Sequence, residues 1–450
     1  MKRARRASFL LVACLTSLHA AEAFRAGAGR VKITPQEPIW LSGYASRNRP
    51  SEGVVHDLWV RALALEDSRR NRVVIIGADL IGLPRAITDP VAARLHKEYG
   101  LDRARVLFTA THTHSGPVVR SNLTAMYDLD AENARRIHQY GDVVAQALFD
   151  AAAAALGDLK PARVFFATGR GSFAINRREP TSKGIRLGVN PAGPTDHTAP
   201  VIKVTAPDGA LRAVLFAYAC HNTTLTGDFY QISGDFSGFA QLALENRHSG
   251  ATAIFFTLCA GDQNPHPRGT LELAREHGEG LAAEVERVLA GRMQPLEGPL
   301  RAAFLMTELR FAPHTREMFE QRLNDSNPHR VRHARLMLKA YDERQPIRTA
   351  PYPVQAIRFG RSLTLVALGG EVVIDYQLRL QKEYGLREPL IVAAYANDVA
   401  FYVPSVRVLK EGGYESVDSM IFYGMPGPFD ADVEERVVNA VRQVMKRVGR

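Results

Sequence analysis

Short apolar runs rich in Val, Ile and Phe alternate along this chain with longer segments of helical period. The runs "RVVIIGADL" (72–80), "RVLFTATH" (105–112), "LRAVLFAYACH" (211–221), "TAIFFTLCAGD" (252–262), "SLTLVALGGE" (362–371) and "EPLIVAAYAND" (388–398) read as buried strands. "DPVAARLHKEYG" (89–100) and the Ala-rich 132–156 stretch read as helices. Such alternation predicts an α/β fold. The charged 313–346 segment predicts a peripheral helical hairpin broken at Asn327-Pro328, and the Gly/Pro-rich 181–198 stretch predicts a long loop able to wall a site.

The strand runs share their endings. Asp79, the pair His112 and His114, His221-Asn222, Asp262 with Asn264, and Glu371 all stand where a run gives way to a Gly- or Pro-rich turn. In open α/β sheets ligands bind in the crevice beyond the carboxyl ends of strands. Ser115-Gly116-Pro117 turns the chain away after the two histidines and leaves their rings accessible. Imidazoles and a carboxylate arriving from separate strands are the ingredients of a zinc site with an open position. His138, His277, His329 and His333 sit in charged helical contexts and read as surface residues; His56 is undecided, and His266 is the reserve ligand.

The 450 residues are 46% apolar and 23% charged, an ordinary globular composition. "MKRARR", a short apolar stretch and "AEA" read as a cleaved signal peptide over residues 1–23, which predicts an exported protein, periplasmic or secreted. "LVAC" also offers a lipoprotein site at Cys14. Without the signal the formal +10 falls to about +7, too dispersed to indicate nucleic acid but compatible with peripheral contact with acidic lipid surfaces. Cys220 and Cys259 then allow one bridge and no disulfide framework. No protein partner can be inferred.

"GAGRVKITP", "THTHSGP", "AINRREP", "YACHNTT…ISGDFSGFA", "GDQNP", "GGEVV" and "NDVAFYVPS…GGYES" resemble, in order, the motifs of the neutral/alkaline non-lysosomal ceramidase family from residue 26 onward. The resemblance implies one catalytic domain over 24–450, with mixed β-sheets flanked by helices. It implies Zn²⁺ held by His112, His221, Glu371 and Tyr402, with His114, Arg177, Tyr414 and Asn264 around the reacting group. It implies hydrolysis of the amide of ceramide or another N-acyl lipid.

The chain departs from the family in three places. Asn264 stands where the family carries a serine, "VPSVRVLK" replaces a threonine-rich stretch, and no C-terminal immunoglobulin-like domain is expected. Zinc hydrolysis tolerates these departures better than ceramide specificity does. The alternatives are a metallo-esterase or amidase on another acyl substrate, and a non-catalytic envelope binding protein on the same scaffold.

Overall fold

The computed structural model describes residues 24–120 and 122–450, so the expected signal peptide and Cys14 lie outside the described residues. The largest sheet has the strand order Thr252–Thr257, Leu211–Tyr218, Thr198–Thr205, Lys160–Arg170, Phe24–Lys32, Trp59–Asp67, Arg72–Ala78, Val106–Ala110. Its middle is antiparallel, while the outermost pair at each edge is parallel. The sheet therefore combines both pairing modes around buried, β-branched strands.

The two edges approach each other. A Cβ on Gly77 would lie 3.0 Å from Ile254 Cγ2, and Thr257 Oγ1 donates to the carbonyls of Ala110 and Thr111 at 3.2 and 3.0 Å. The strand preceding His112 thus ends beside Thr252–Thr257, whose parallel partner Leu211–Tyr218 precedes His221. Thr113 and Asn222 form a parallel bridge there, and His114 N donates to Asn222 O at 3.2 Å. The buried Asn222 side chain donates to Thr111 O and accepts from Ser237 N at 3.1 Å.

Helix Ala131–Gly157 begins at Asp130, whose carboxylate accepts from Asn133 N at 2.7 Å. Its inward stripe of Ile137, Tyr140, Val144, Leu148 and Ala151 joins the core against the first strands. Gly27 and Gly29 permit that approach, since a Cβ there would meet the helix carbonyls of Ala155 and Ala151 at 2.1 and 2.3 Å. A second sheet orders Leu300–Arg310, Thr349–Phe359, Leu363–Leu368 and Leu390–Ala393. Leu107, Leu215 and Ile254 of the first sheet share one core with Ile357, Leu365 and Ile391 of the second. This shared core sets Glu371, just past Leu368, against the histidine strands.

Several local expectations are corrected. The 181–198 stretch is no loop at first: Gly184–Asn190 pairs antiparallel with Ala174–Thr181 as a β-hairpin. Its short side chains and glycines mimic loop composition, but the ladder supplies the backbone hydrogen bonds. His277 and His333 are buried rather than on the surface, because each ring donates to a carbonyl of a neighbouring segment, Pro267 at 2.8 Å and Met425 at 2.6 Å. Helices Arg316–Gln321 and Pro328–Asp342 do form the hairpin, with Asn327 capping His329 N at 2.9 Å. Cys220 and Cys259 are free and buried.

Asn222→Ala removes a donor and an acceptor from buried partners and should destabilise the fold by about 2–4 kcal/mol, measured by urea unfolding. A loss below about 1 kcal/mol would show that the strand ends hold together without it.

Candidate metal centre

His112 has φ 63°, a left-handed backbone that aims its ring back across the strand ends. Its Nδ1 donates to Ile81 O at 2.5 Å, and His221 Nδ1 donates to Ala260 O at 2.6 Å. Both neutral rings therefore present a bare Nε2 lone pair inward. Both nitrogens face one atom, Glu371 Oε2, at 3.0 Å from His112 and 3.1 Å from His221. Tyr402 is brought in by a two-residue parallel ladder with Glu371, and its hydroxyl lies 3.2 Å from His221 Nε2. His114 Nε2 touches the group on one side only, at 3.1 Å from His112 Nε2. His112, His221 and Glu371 are almost fully buried.

These atoms are acceptors pointed at acceptors. Tyr402 and His114 Nε2 can supply two protons, yet Glu371 Oε2 still faces two nitrogen lone pairs. Protonating the His221 ring instead is opposed by burial, which pushes it down to about 3, with Arg177 acting in the same direction. A cation among the four atoms removes the conflict, so the donor set fits a metal ion. His112, His114 and His221 alone also place their ligand atoms within 4.8 Å of one another.

The open side of the cluster faces a cavity of about 470 Å³. His114, Arg177, Asn264, Tyr402 and Tyr414 all line it. Arg177 is the hub: Nη2 donates to Tyr402 Oη at 3.0 Å, Nε to Glu415 Oε1 at 2.8 Å and Nη1 to Asn264 Oδ1 at 3.3 Å. Its guanidinium lies 5.6 Å from the centroids of both Tyr402 and Tyr414. Burial opposes the charge, but Tyr402 and Glu415 outweigh it and hold Arg177 well above its ordinary pKa. His114 packs on Gly43, where a Cβ would lie 2.2 Å from its Nδ1, and burial with His112 and His221 keeps its pKa well below the ordinary value.

Asn264 belongs to the short strand Gln263–Pro265, paired with Ala174–Asn176, and does not cap a turn. Its Oδ1 accepts from Arg177 and Thr223, which turns its NH₂ group to the cavity. The reserve ligand His266 is exposed on the cavity rim, away from the cluster, because the chain turns outward after Pro265. His56 accepts from Gly234 N at 2.8 Å and is structural. Asp79 pairs with Arg61 at 2.8 Å, and Asp262 accepts from Ile374 N at 2.9 Å; both hold backbone rather than line the site.

Three residues escape the strand-end pattern. Tyr423 donates to Glu371 Oε1, Tyr395 packs its ring 4.2 Å from that of His112, and Glu415 anchors both Arg177 and Arg178. Tyr423 and Tyr395 carry no local signal, whereas Glu415 directly follows Tyr414 and was within reach of the motif.

The family model described as "Neutral/alkaline non-lysosomal ceramidase, N-terminal" matches residues 24–291. The chain belongs to this family. The matched stretch includes His112, His114, Arg177, His221 and Asn264, while Glu371, Tyr402 and Tyr414 lie beyond it. The neutral ceramidase of Pseudomonas aeruginosa is 25% identical over 331 residues, covering 68% of this chain and 47% of that protein. That of Drosophila melanogaster is 27% identical over 280 residues, covering 58% of this chain and 39% of its own length. The chain thus spans less than half of these curated relatives. The crystal structure of the Pseudomonas aeruginosa neutral ceramidase superimposes with a TM-score of 0.73 at 20% identity, over 94% of this chain and 74% of that one. This likeness establishes the fold of mixed sheets flanked by helices.

Tyr423→Phe frees one oxygen of Glu371 and should weaken metal binding about 10- to 100-fold, read by competition with a chromogenic chelator. Unchanged affinity would mean that packing alone orients the carboxylate.

Proposed function

We propose that the protein is a zinc-dependent hydrolase of the amide bond of ceramide or a related N-acyl lipid, releasing a fatty acid and an amine. The observation that carries this reading is the convergence of His112 Nε2, His221 Nε2, Glu371 Oε2 and Tyr402 Oη at contacts of 3.0–3.2 Å. Ligands about 2.0 Å from a tetrahedral zinc stand about 3.3 Å apart, so the nitrogen/oxygen set matches that ion in spacing as well as chemistry. Family membership, and relatives named neutral ceramidases, support the amide as the bond cleaved. The N-terminal sequence supports an exported, envelope location.

Zinc, when bound, supplies Lewis acidity toward the attacking water and the substrate carbonyl. The chain's own residues do the rest. His114, kept neutral by burial, has an Nε2 able to take the proton of the attacking water and pass it to the departing amine nitrogen as the C–N bond breaks. Arg177 keeps its charge and holds the Tyr402 hydroxyl, placing positive potential where the carbonyl oxygen becomes an anion. The Asn264 NH₂ group offers a neutral donor to the same carbonyl or to a substrate hydroxyl. The apolar Ile175, Leu187, Val189 and Phe422 line the cavity that would receive an acyl chain. Asn264 favours a second reading within the same chemistry, hydrolysis of a different acyl amide or an ester, since an amide at that position cannot act as a nucleophile.

Metal-replete protein incubated with ceramides and other N-acyl lipids should release free fatty acid detectable by mass spectrometry. Silence across the whole panel would refute the hydrolase assignment.

The protein should carry about one zinc per chain. His112→Ala and His221→Ala should lose metal and turnover together, and full zinc occupancy in both would sink the ligand set. His114→Ala should retain zinc while losing about 10²- to 10⁴-fold in kcat. If it loses zinc as readily as His112→Ala, His114 is itself a ligand.

A further inference from the structure

We propose that the cavity is built for N-acyl amides whose amine portion bears an anionic group, a carboxylate or sulfonate, and that Arg268 recognises that group. The inference rests on the hydrolase reading and narrows its substrate class. Among the described residues lining the cavity there are two arginines, Arg177 and Arg268, and no carboxylate. The charge of Arg177 is already met. It pairs with Glu415 at 2.8 Å, and its neighbour Arg178 pairs with Glu415 at 2.5 Å and Glu411 at 3.0 Å.

Arg268 differs. Among the described residues no carboxylate lies within ion-pairing distance of it; its Nη2 donates to Tyr44 Oη at 2.9 Å, and its Nε is buried without a partner. Asp235 senses its charge from behind, but that carboxylate is fully buried and accepts from Leu225 N at 2.9 Å and Phe236 N at 2.6 Å. The Nη1 of Arg268 makes no hydrogen bond among the described residues and is not buried, so this half-buried guanidinium gains strongly from a planar anion, since paired charge-assisted hydrogen bonds replace lost hydration.

The position suits the amine end of a substrate. The Tyr44 ring, whose hydroxyl receives the Arg268 bond, packs 5.0 Å from the His114 ring. Arg268 therefore stands one tyrosine ring from the group that would return a proton to the departing nitrogen. The segment is fixed on both sides of Arg268, by His266 N donating to Phe173 O at 2.8 Å before it and by Gly269 N donating to Thr224 O at 2.8 Å after it. A substrate with an uncharged head would leave this guanidinium uncompensated.

The test compares N-lauroylglycine and N-lauroyltaurine with N-lauroylethanolamine, an uncharged amide with the same acyl chain, on zinc-loaded protein at low and high salt. The kcat/KM of both anionic substrates should exceed that of the ethanolamide by about 10-fold or more at low salt, with the margin shrinking as salt rises. Arg268→Gln should lower the anionic-to-neutral ratio about 10- to 100-fold, and Arg268→Lys should restore part of it. Binding of the non-hydrolysable dodecylsulfonyl amides of glycine and ethanolamine, measured by calorimetry, should show the same preference and the same loss in Arg268→Gln. Equal handling of charged and neutral ligands by the wild type, or a ratio unchanged in Arg268→Gln, overturns the inference while leaving the hydrolase reading standing. Failure to hydrolyse any of the three amides counts against the hydrolase reading, and the calorimetric ratio then still decides the role of Arg268.

Discussion

Everything in the site depends on the two parallel edges of the curled sheet ending together. Parallel strands all deliver their carboxyl ends to the same side. Here one pair carries His112 and the other His221, from opposite ends of an eight-strand path. Only curling brings them into register, and the Asn222 side chain closes the seam by serving Thr111 past one edge and Ser237 at the start of the helix Asp235–Arg247. A shift of the seam by one residue would turn Thr113 into the place of His112, because successive residues face opposite ways. The left-handed φ of His112 is tolerated for the same reason: flanking hydrogen bonds, such as that from His112 N to Leu80 O at 2.9 Å, over-determine it.

The second sheet supplies the opposite charge. Glu371 could not be buried among two imidazoles unless something compensated it, and Tyr423 satisfies only one oxygen. The remaining oxygen leaves the cluster suited to receive a cation. Beside it, buried Arg177, Arg178 and Glu415 form an ion-pair network that reaches exposed Glu411. Such a network adds little net stability, since desolvation offsets the attraction. Its value is positional: it fixes a permanently charged guanidinium against the Tyr402 hydroxyl and leaves no freedom for the tyrosine to swing away.

Much of this was legible in the sequence because strand-end chemistry is local. A β run followed by a ligand residue and a turn is visible at 105–117, at 211–222 and at 362–371, and the structure joins those three places. The helical hairpin was equally plain, since Asn-Pro is both a cap and a first-turn signal. What stayed hidden needed partners distant in the chain. Tyr423 reaches Glu371 across 52 positions, and His333 is buried because a carbonyl at Met425 receives it. The hairpin over 184–190 was masked by its glycines, although its alternation of Ile185, Leu187 and Val189 is the period-two signal of a strand.

The segment 263–270 concentrates what sets this chain apart. Asn264 at its start replaces a hydroxyl with an amide, and the Arg177 and Thr223 donors fix which end of that amide meets the cavity. A serine there could both give and receive a hydrogen bond, whereas Asn264, with its oxygen engaged, can only give. Arg268, four residues on, spends one donor on Tyr44 and has no carboxylate partner among the described residues. Both side chains present donors on the same wall, and neither belongs to the cluster of His112, His221, Glu371 and Tyr402. The site therefore separates into a cluster fixed by sheet geometry and a cavity wall whose side chains can vary without disturbing that cluster.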